Sequence, residues 1–263
     1  MKKRRVNIPV KPLFFIMVFF IAPVFITGYI WQALTTSDYF RIKDISGVNV
    51  SSTDFSYLKK KNIFLLHLPG ESINIAKSCP DCLRVRLARV LPDSIFVEFV
   101  KRNPVALVKL YRYFSVDQEG VFFDSAQDTQ DSGLPLITGL EAKLSGIKPG
   151  KECKAKELIL ALTIIKEAGK FCNLRDYRIQ RIDVAGADDL TIFIPVDLGT
   201  DVYRNWQVPK AQKILAVRIS QGNIVEKVAV MSGLINQEKN NLGNIKYIDL
   251  RFKEPVIKFK DDK

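Results

Sequence analysis

The sequence predicts an α+β protein with a single transmembrane helix, a small β-α-α-β-β domain and a β-rich domain with covering helices. Three observations predict this architecture. Residues 13–34 form an uncharged apolar run. Short strand and helix patterns alternate over residues 37–102, and strand patterns dominate residues 103–259, with a few helical stripes between them. Residues 260–263 are a short C-terminal tail.

The apolar run predicts an uncleaved membrane anchor. About 20 apolar residues in a helix cover the hydrocarbon layer of a bilayer, and Tyr29 and Trp31 suit the headgroup level at its outer end. A cleavable signal peptide is the alternative, but its apolar region is usually shorter and ends in small residues. Five basic residues precede the span and the first acidic residue is Asp38. We therefore expect residues 1–12 in the cytoplasm, a helix over residues 13–36 and the remainder outside.

The small domain is predicted from five elements in order. A strand over residues 40–45 precedes a helix that runs from Ser51 through Leu58, with Ser51 and Asp54 as its capping pair. An apolar segment at 62–68, expected to be buried, leads to a helix at 72–77. Two hairpin strands, at 84–91 and 94–100, flank Pro92 and Asp93. The apolar face of this three-stranded sheet needs a cover, which the two helices supply.

The larger domain combines strands with two predicted helices. The helix at 156–169 carries an apolar stripe that consists of Leu158, Ala161, Leu162, Ile165 and Ala168. A second helix is expected to begin near Pro209, with Ile214 and Leu215 facing inward. Residues 124–133 are polar and predict an exposed loop. Strands are predicted at 105–110, 113–116, 121–122, 178–184, 190–196, 225–231, 245–252 and 256–259.

The four cysteines allow several interpretations of their bonding and role. If residues 155–169 form a continuous helix, its ends are about 20 Å apart, so a Cys153–Cys172 bond would require that helix to break. Cys79 and Cys82 form a CPDC segment. A redox centre there needs a strand before it and a helix after it, whereas the pattern shows the reverse. A structural loop or a local disulfide is favoured over redox catalysis or a zinc site.

The sequence offers no constellation for catalysis. His67 is the one histidine, and no nucleophile motif accompanies it. Residues 146–152 (GIKPGKE) have short glycine spacing and lack a Ser or Thr after Lys151. They therefore predict a turn and not a phosphate-binding loop. The net charge of +12 is spread along the chain, which disfavours nucleic-acid binding. We expect a non-enzyme with no cofactor, no metal and no small-molecule substrate.

The predicted strand at 245–252 presents two different faces. Ile248, Leu250 and Phe252 alternate on one side, and Tyr247, Asp249 and Arg251 on the other. If the strand has a structural role alone, Phe252 belongs to the core and Arg251 is a solvated charge.

Taken in order, seven segments resemble the FtsQ/DivIB family of bacterial cell-division proteins. Each segment alone is a weak signal, but together behind a signal anchor they resemble the family over most of the chain. The segments are FRIKDISGV (40–48), NIFL (62–65), VLPDSI (90–95), KRNPVA (101–106), VDQEGVF (116–122), LPLITG (134–139) and IDLRF (248–252).

The resemblance implies a non-enzymatic scaffold of the division machinery in the cell (inner) membrane at the septum. It implies a POTRA domain at 37–102, associated with septal targeting, and FtsB/DivIC-like and FtsL-like membrane partners. In the family the FtsB-like partner adds a strand to the edge of the β domain, which implies partner contacts at Tyr247, Asp249, Arg251 and Phe252. The sequence ends at Lys263, so contacts that longer relatives make further along are expected to be missing.

Two other functions fit parts of the sequence. A POTRA-bearing envelope assembly or secretion factor is the first, but such proteins typically carry several POTRA modules or a long membrane barrel. A membrane-tethered thiol oxidoreductase is the second, and it rests only on the CPDC segment.

Overall fold

The computed structural model contains two compact units, Met1–Val100 and Lys101–Lys263. Both mix helix and strand, which confirms the predicted α+β class. The structure describes residues 10–48, 54–124, 133–144, 146–171, 174, 178–186, 189–197 and 212–260.

The first unit opens with the predicted apolar helix, α1 (Val10–Thr36). Its stretch Phe19–Thr36 is, in the described part of the chain, the one helix long and apolar enough to cross a membrane. Pro23 lies inside α1, and the hydroxyl of Thr27 donates a hydrogen bond to the Pro23 carbonyl oxygen at 2.8 Å. Thr and Ser side chains satisfy helix carbonyls in this way inside apolar helices.

A three-stranded sheet and one α-helix form the rest of this unit. The strand order is β1 (Asp44–Val48), β3 (Ser94–Lys101), β2 (Cys82–Val90), with β1 parallel to β3. Helix α2 (Leu68–Lys77) covers the sheet together with two short 3-10 turns at Asp38–Phe40 and Ser56–Leu58. The alternation predicted for β3 is confirmed, since its fully buried side chains are Ile95, Val97 and Phe99.

Three predictions for this unit need correction. The first strand begins at Asp44 and not at residue 40, because a 3-10 turn occupies Asp38–Phe40. The first helix is reduced to the 3-10 turn Ser56–Leu58; Asp54 accepts a hydrogen bond from the Ser56 backbone at 2.8 Å, and Ser51 lies outside the described residues. The segment 62–68, predicted to be buried, is a turn in which only Ile63 and Leu66 are buried.

The turn at 62–68 has a specific cause. The Arg89 guanidinium donates to the carbonyl oxygens of Ile63 at 2.7 Å and Leu66 at 2.8 Å. Ile63 and Leu66 are buried, while Leu65 between them is exposed. The apolar residues are therefore spaced by three and bend around one arginine, so they do not follow the period of two that a strand requires.

The second unit is built on a nine-stranded sheet whose order is β12-β11-β10-β9-β8-β7-β4-β5-β6. Its strands are β4 (Ala106–Lys109), β5 (Tyr113–Val116), β6 (Phe122–Asp124), β7 (Leu136–Thr138), β8 (Arg181–Asp183), β9 (Asp189–Asp197), β10 (Gln212–Ser220), β11 (Ile245–Leu250) and β12 (Val256–Phe259). Two helices, α3 (Lys156–Ala168) and α4 (Ile224–Gln237), pack on it and on each other. This layering buries one continuous apolar core in the unit.

Two predicted elements in this unit are wrong in type. The helix expected from Pro209 with Ile214 and Leu215 facing inward is strand β10 over Gln212–Ser220, and Pro209 itself lies outside the described residues. Ile214 is exposed and Leu215 buried, as the two faces of a strand require. The strand expected at 225–231 is helix α4.

Two of the family-like motifs have structural roles. In VDQEGVF the buried Asp117 accepts hydrogen bonds from the backbone N–H groups of Glu119 and Val121 and pairs with Arg102. In LPLITG, Gly139 has φ of +90°, and a Cβ there would lie 2.4 Å from the Ala185 nitrogen. Only glycine fits that close approach.

Candidate partner-binding surface

The end of the nine-stranded sheet leaves β12 as an open edge. Among the described residues β12 pairs with β11 alone, in an antiparallel register that sets Ile257 opposite Ile248 and Val256 opposite Asp249. The Lys260 backbone N–H donates to the Asn244 carbonyl at 2.8 Å and so points toward β11.

Hydrogen-bonding direction alternates along a strand. The backbone groups of Ile257 and Phe259 therefore point away from β11 and are available to another strand. Three exposed lysines, Lys253, Lys258 and Lys260, and one exposed glutamate, Glu254, lie along this edge.

Arg251 occupies the centre of an ionic network at the end of β11. Its Nε and Nη2 atoms donate to the Asp249 carboxylate at 3.0 and 2.7 Å, and its Nη1 donates to Asp189 at 2.7 Å. Asp189 begins strand β9, so the guanidinium reaches across the end of β10. The Arg251 carbonyl oxygen also accepts from the Ser220 hydroxyl at 3.3 Å. This arginine therefore fixes the ends of three neighbouring strands.

The ionic network shifts the pKa of both partners. Hydrogen bonding from Arg251 holds the pKa of the Asp249 carboxyl below its ordinary value of 3.8, although burial opposes that shift. The two carboxylates raise the pKa of Arg251. Asp249 is almost completely buried, so it remains charged inside the fold because Arg251 is bound to it.

Tyr247 and Phe252 differ in their surroundings. Tyr247 is half-buried, and the Arg218 guanidinium lies 4.8 Å from the centre of its ring. Phe252 is 62% exposed. The prediction that Phe252 shares a face with Ile248 and Leu250 is wrong, because β11 ends at Leu250 and the chain bends directly after it.

Lys213 is a functional candidate that sequence reasoning missed. Its Nζ donates to the carbonyl oxygens of Leu242 at 3.2 Å, Gly243 at 2.6 Å and Ile245. Burial lowers the pKa of Lys213. The ammonium group therefore holds the loop between α4 and β11 and fixes where β11 begins. A lysine that directly precedes a run of apolar residues gives no sequence signal for such a contact.

The other candidate sites of the sequence have structural explanations. Cys79 and Cys82 form a disulfide with a Cα–Cα distance of 5.3 Å. It lies between the end of α2 and the start of β2, so no helix follows it as a redox centre would need. Cys153 is free, and Cys172 lies outside the described residues. His67 caps α2 by accepting from the Gly70 N–H at 3.2 Å.

No group of three or more His, Cys, Asp or Glu side chains that could hold a metal ion occurs among the described residues. Residues 146 and 150 have positive φ, as turns require.

A family profile described as "Cell division protein FtsQ/DivIB, C-terminal" matches residues 106–251. That match covers more than half of the chain, from β4 to the arginine at the end of β11. This chain belongs to the FtsQ/DivIB family.

Similar proteins support the assignment to FtsQ/DivIB along most of the chain. The cell division protein FtsQ of Syntrophotalea carbinolica is 24% identical over 241 residues, which are 86% of this chain and 76% of that protein. FtsQ of Geotalea daltonii is 20% identical over 251 residues, 90% of this chain and 82% of the relative. FtsQ of Geobacter sp. strain M21 is 23% identical over 174 residues, 66% of this chain and 57% of the relative.

Membership in the FtsQ/DivIB family makes this chain a cell-division protein. The family is one of division scaffolds and is not known for catalysis. Helix α1 is compatible with single-pass membrane anchoring, as in the predicted organisation.

Proposed function

We propose that this protein is a scaffold of the division machinery that binds an FtsB/DivIC-like membrane protein by adding a partner strand to β12. The observation that carries the proposal is the edge of β12, which is open among the described residues. The alternation of hydrogen-bonding direction along the strand, set by the Lys260 bond to Asn244, directs the N–H groups of Ile257 and Phe259 outward. An added strand receives its affinity from such backbone groups and its selectivity from neighbouring side chains.

The side chains around β12 favour an acidic partner segment. Lys253, Lys258 and Lys260 outnumber the one exposed acidic residue there, Glu254, and opposite charges across an interface steer association. Arg251 donates three of its five N–H groups within the chain, so two remain for a partner carboxylate. Phe252 is the exposed aromatic anchor of the proposed contact.

Tyr247 and Asp249 support this surface from beneath. Asp249 holds Arg251, and Tyr247 packs against Arg218 in the neighbouring strand. We propose the four residues Tyr247, Asp249, Arg251 and Phe252 as the partner-binding set, with Arg251 and Phe252 in direct contact and the other two positioning them.

The decisive experiment compares Phe259→Pro with Phe259→Ala in the full chain. Proline removes one outward N–H and leaves the pairing with β11 intact, since edge strands tolerate proline on the solvent side. Alanine removes the side chain and keeps the N–H. We expect Phe259→Pro to weaken capture of the organism's FtsB-like protein at least tenfold relative to Phe259→Ala, with equal melting temperatures. Equal binding by the two variants would remove β12 from the interface.

The wider role follows from the family. We propose that the β domain, residues 103–259, links FtsB/DivIC-like and FtsL-like proteins to septal peptidoglycan synthesis, and that the POTRA domain, residues 37–102, directs the protein to the septum. The basic residues before the span orient the N-terminus toward the cytoplasm. Reporter fusions at both ends check this orientation, and a C-terminal reporter active in the cytoplasm would contradict it.

A further inference from the structure

The loop before residue 63 is attached to the end of helix α1. The side-chain amide of Asn62 donates to the carbonyl oxygens of Leu34 and Thr35, both at 2.9 Å. The last carbonyls of a helix have no partner within the helix, so Asn62 caps α1 from a segment 27 residues further along the chain. This contact fixes the position of the loop relative to the membrane-spanning helix.

With α1 spanning the membrane, the capping contact lies at the level of lipid headgroups. Tyr29 and Trp31 are exposed on α1, and such rings favour the boundary between hydrocarbon and headgroups. From Trp31 to Thr35 the helix rises about 6 Å. The headgroup layer on each side of a bilayer is about 5–8 Å thick. Asn62 therefore meets α1 where the helix passes through that layer.

Three consecutive lysines directly precede Asn62. Lys59, Lys60 and Lys61 are all exposed. Lys61 lies 3.7 Å from the Glu71 carboxylate, whereas Lys59 and Lys60 form no ion pair within 4 Å with the acidic residues that the structure describes. Lys59 interacts electrostatically with the Asp54 carboxylate at longer range. The ammonium groups of Lys59 and Lys60 thus lie near the end of α1 without a close ion pair among the described residues.

The backbone holds this loop in a defined shape. The Lys60 N–H donates to the Ile42 carbonyl at 2.9 Å, and the Ile42 N–H donates to the Lys61 carbonyl at 3.0 Å. Lys60 adopts φ of 69°, a conformation that non-glycine residues adopt when the surroundings require it. The lysines are therefore presented on a fixed turn.

Exposed apolar side chains flank the lysines. Tyr39 and Leu65 are 62% and 63% exposed. The bridge between Arg41 and Asn62 and the contact of the Phe40 and Phe64 rings bring their two segments together. A lysine pair beside exposed aromatic and aliphatic groups is the composition of surfaces that rest on a membrane interface.

We propose that the loop Lys59–Lys61 binds the phosphate groups of anionic phospholipids in the leaflet where α1 leaves the membrane. Ammonium groups bind phosphate as compact point charges, and the apolar neighbours enter the interface beside them. Each basic residue near an anionic surface strengthens binding about fivefold. The lipid contact, together with the Asn62 cap, orients the first unit on the bilayer.

The test uses the full chain with Trp206→Phe, which leaves Trp31 as the only tryptophan. The protein is placed in phosphatidylcholine nanodiscs that contain phosphatidylglycerol, and one of the two lipids is brominated on its chains. Quenching of Trp31 then reports which lipid is enriched at this end of α1. We expect brominated phosphatidylglycerol to quench with a severalfold higher relative association than brominated phosphatidylcholine at low salt.

A charge-neutral variant and a charge-retaining variant complete the test. Lys59→Gln/Lys60→Asn should abolish the preference for phosphatidylglycerol, with asparagine chosen because it tolerates positive φ. Lys59→Arg/Lys60→Arg should retain it. In the unaltered loop, about 0.5 M salt should also remove the preference, because exposed charges are screened.

Three results would overturn the proposal. These are equal quenching by both lipids in the unaltered loop, an unchanged preference in Lys59→Gln/Lys60→Asn, or no quenching by either lipid. The last result would show that α1 does not lie in the bilayer, so it also separates failure of the anchor from failure of the lipid site.

Discussion

At the scale of single residues, a substitution of Phe252 tests whether its ring packs in the core or contacts a partner. Its ring is 62% exposed directly after β11. Removal of a buried phenylalanine ring usually lowers the free energy of unfolding by about 3–5 kcal/mol. A much smaller loss after removal of the Phe252 ring therefore indicates a surface position and not a core position. We expect Phe252→Ala to leave the melting temperature unchanged and to weaken binding of the FtsB-like partner by about 2 kcal/mol, the size of a typical interface anchor.

Phe122→Ala is the matched control, because the Phe122 ring is fully buried. That variant should lose stability as a core truncation does. A comparable loss in Phe252→Ala would return Phe252 to the core, and unchanged affinity would remove it from the interface.

The Asp249–Arg251 pair predicts how stability depends on pH. The pKa of Asp249 in the folded protein lies below its ordinary value of 3.8. A carboxyl with a depressed folded pKa contributes stability above its unfolded pKa, and this contribution is lost as the pH falls through the folded pKa. Asp249→Asn should therefore destabilise the protein at pH 7 and have a progressively smaller effect below about pH 4.

Urea unfolding of both proteins at several pH values measures this difference. Asp124→Asn provides the comparison, because Asp124 forms an exposed pair with Arg112 and exposed pairs contribute little. An effect of Asp249→Asn that stays constant from pH 7 to pH 3 would contradict the assigned pKa direction.

The sequence predicted where β11 lies, but neither its end at Leu250 nor the ionic network beside that end. The alternation of apolar residues in β11 located Ile248 and Leu250 in the core. Asp189 lies 62 positions before Arg251, and Lys213 contacts a loop about 30 positions away. Contacts of this kind depend on which strands become neighbours, and a local pattern carries no information about that.

At the scale of elements, the Cys79–Cys82 disulfide joins α2 to β2. Cys82 is buried in the core of the first unit, and Cys79 packs against the same core. Closing so short a loop restricts the unfolded chain by about 2 kcal/mol in the chain-entropy account. We expect Cys79→Ser/Cys82→Ser to lower the unfolding free energy by about that amount and to leave partner binding unchanged.

Reductant provides an internal check on the disulfide. It should destabilise the unaltered protein and have no further effect on the double variant, while Cys153→Ser should respond to reductant as the unaltered protein does. Thiol–disulfide exchange with a model substrate that depends on Cys79 and Cys82 would contradict the structural role and favour an oxidoreductase.

Errors at the element scale came from strong local signals that tertiary packing overrides. Pro209 suggested a helix start, although Leu215, Val217 and Ile219 are buried with a period of two, as in a strand. The β-branched run near Val225 suggested a strand, but the buried positions of α4 follow helical spacing, as Ile224, Val228, Met231 and Ile235 show. In both cases the spacing of the buried residues matches the observed element, whereas the local proline and β-branched signals do not.

At the scale of the whole molecule, an apolar N-terminal helix that is compatible with membrane anchoring comes before two sheets, and each sheet has its own core. Each unit has its own buried cluster, and strand β12 at one end of the larger sheet pairs on one side only among the described residues. A sheet edge is a binding surface that needs no catalytic group.

The same organisation predicts the phenotype of depletion. Cells that lose this protein should form undivided filaments, because a division scaffold is removed while envelope synthesis along the cell continues.

Complementation then distinguishes a requirement for the β12 edge from a requirement for the folded protein. The unaltered chain and Phe259→Ala should restore division, whereas Phe259→Pro should accumulate in the membrane to the same level and fail to restore it, since only the proline variant lacks an outward N–H. Microscopy scores cell length, and immunoblots of membrane fractions score the amount of protein. Normal division after depletion, in a strain without a second copy of the gene, would contradict the scaffold role; full rescue by Phe259→Pro would show that division does not require strand addition at β12.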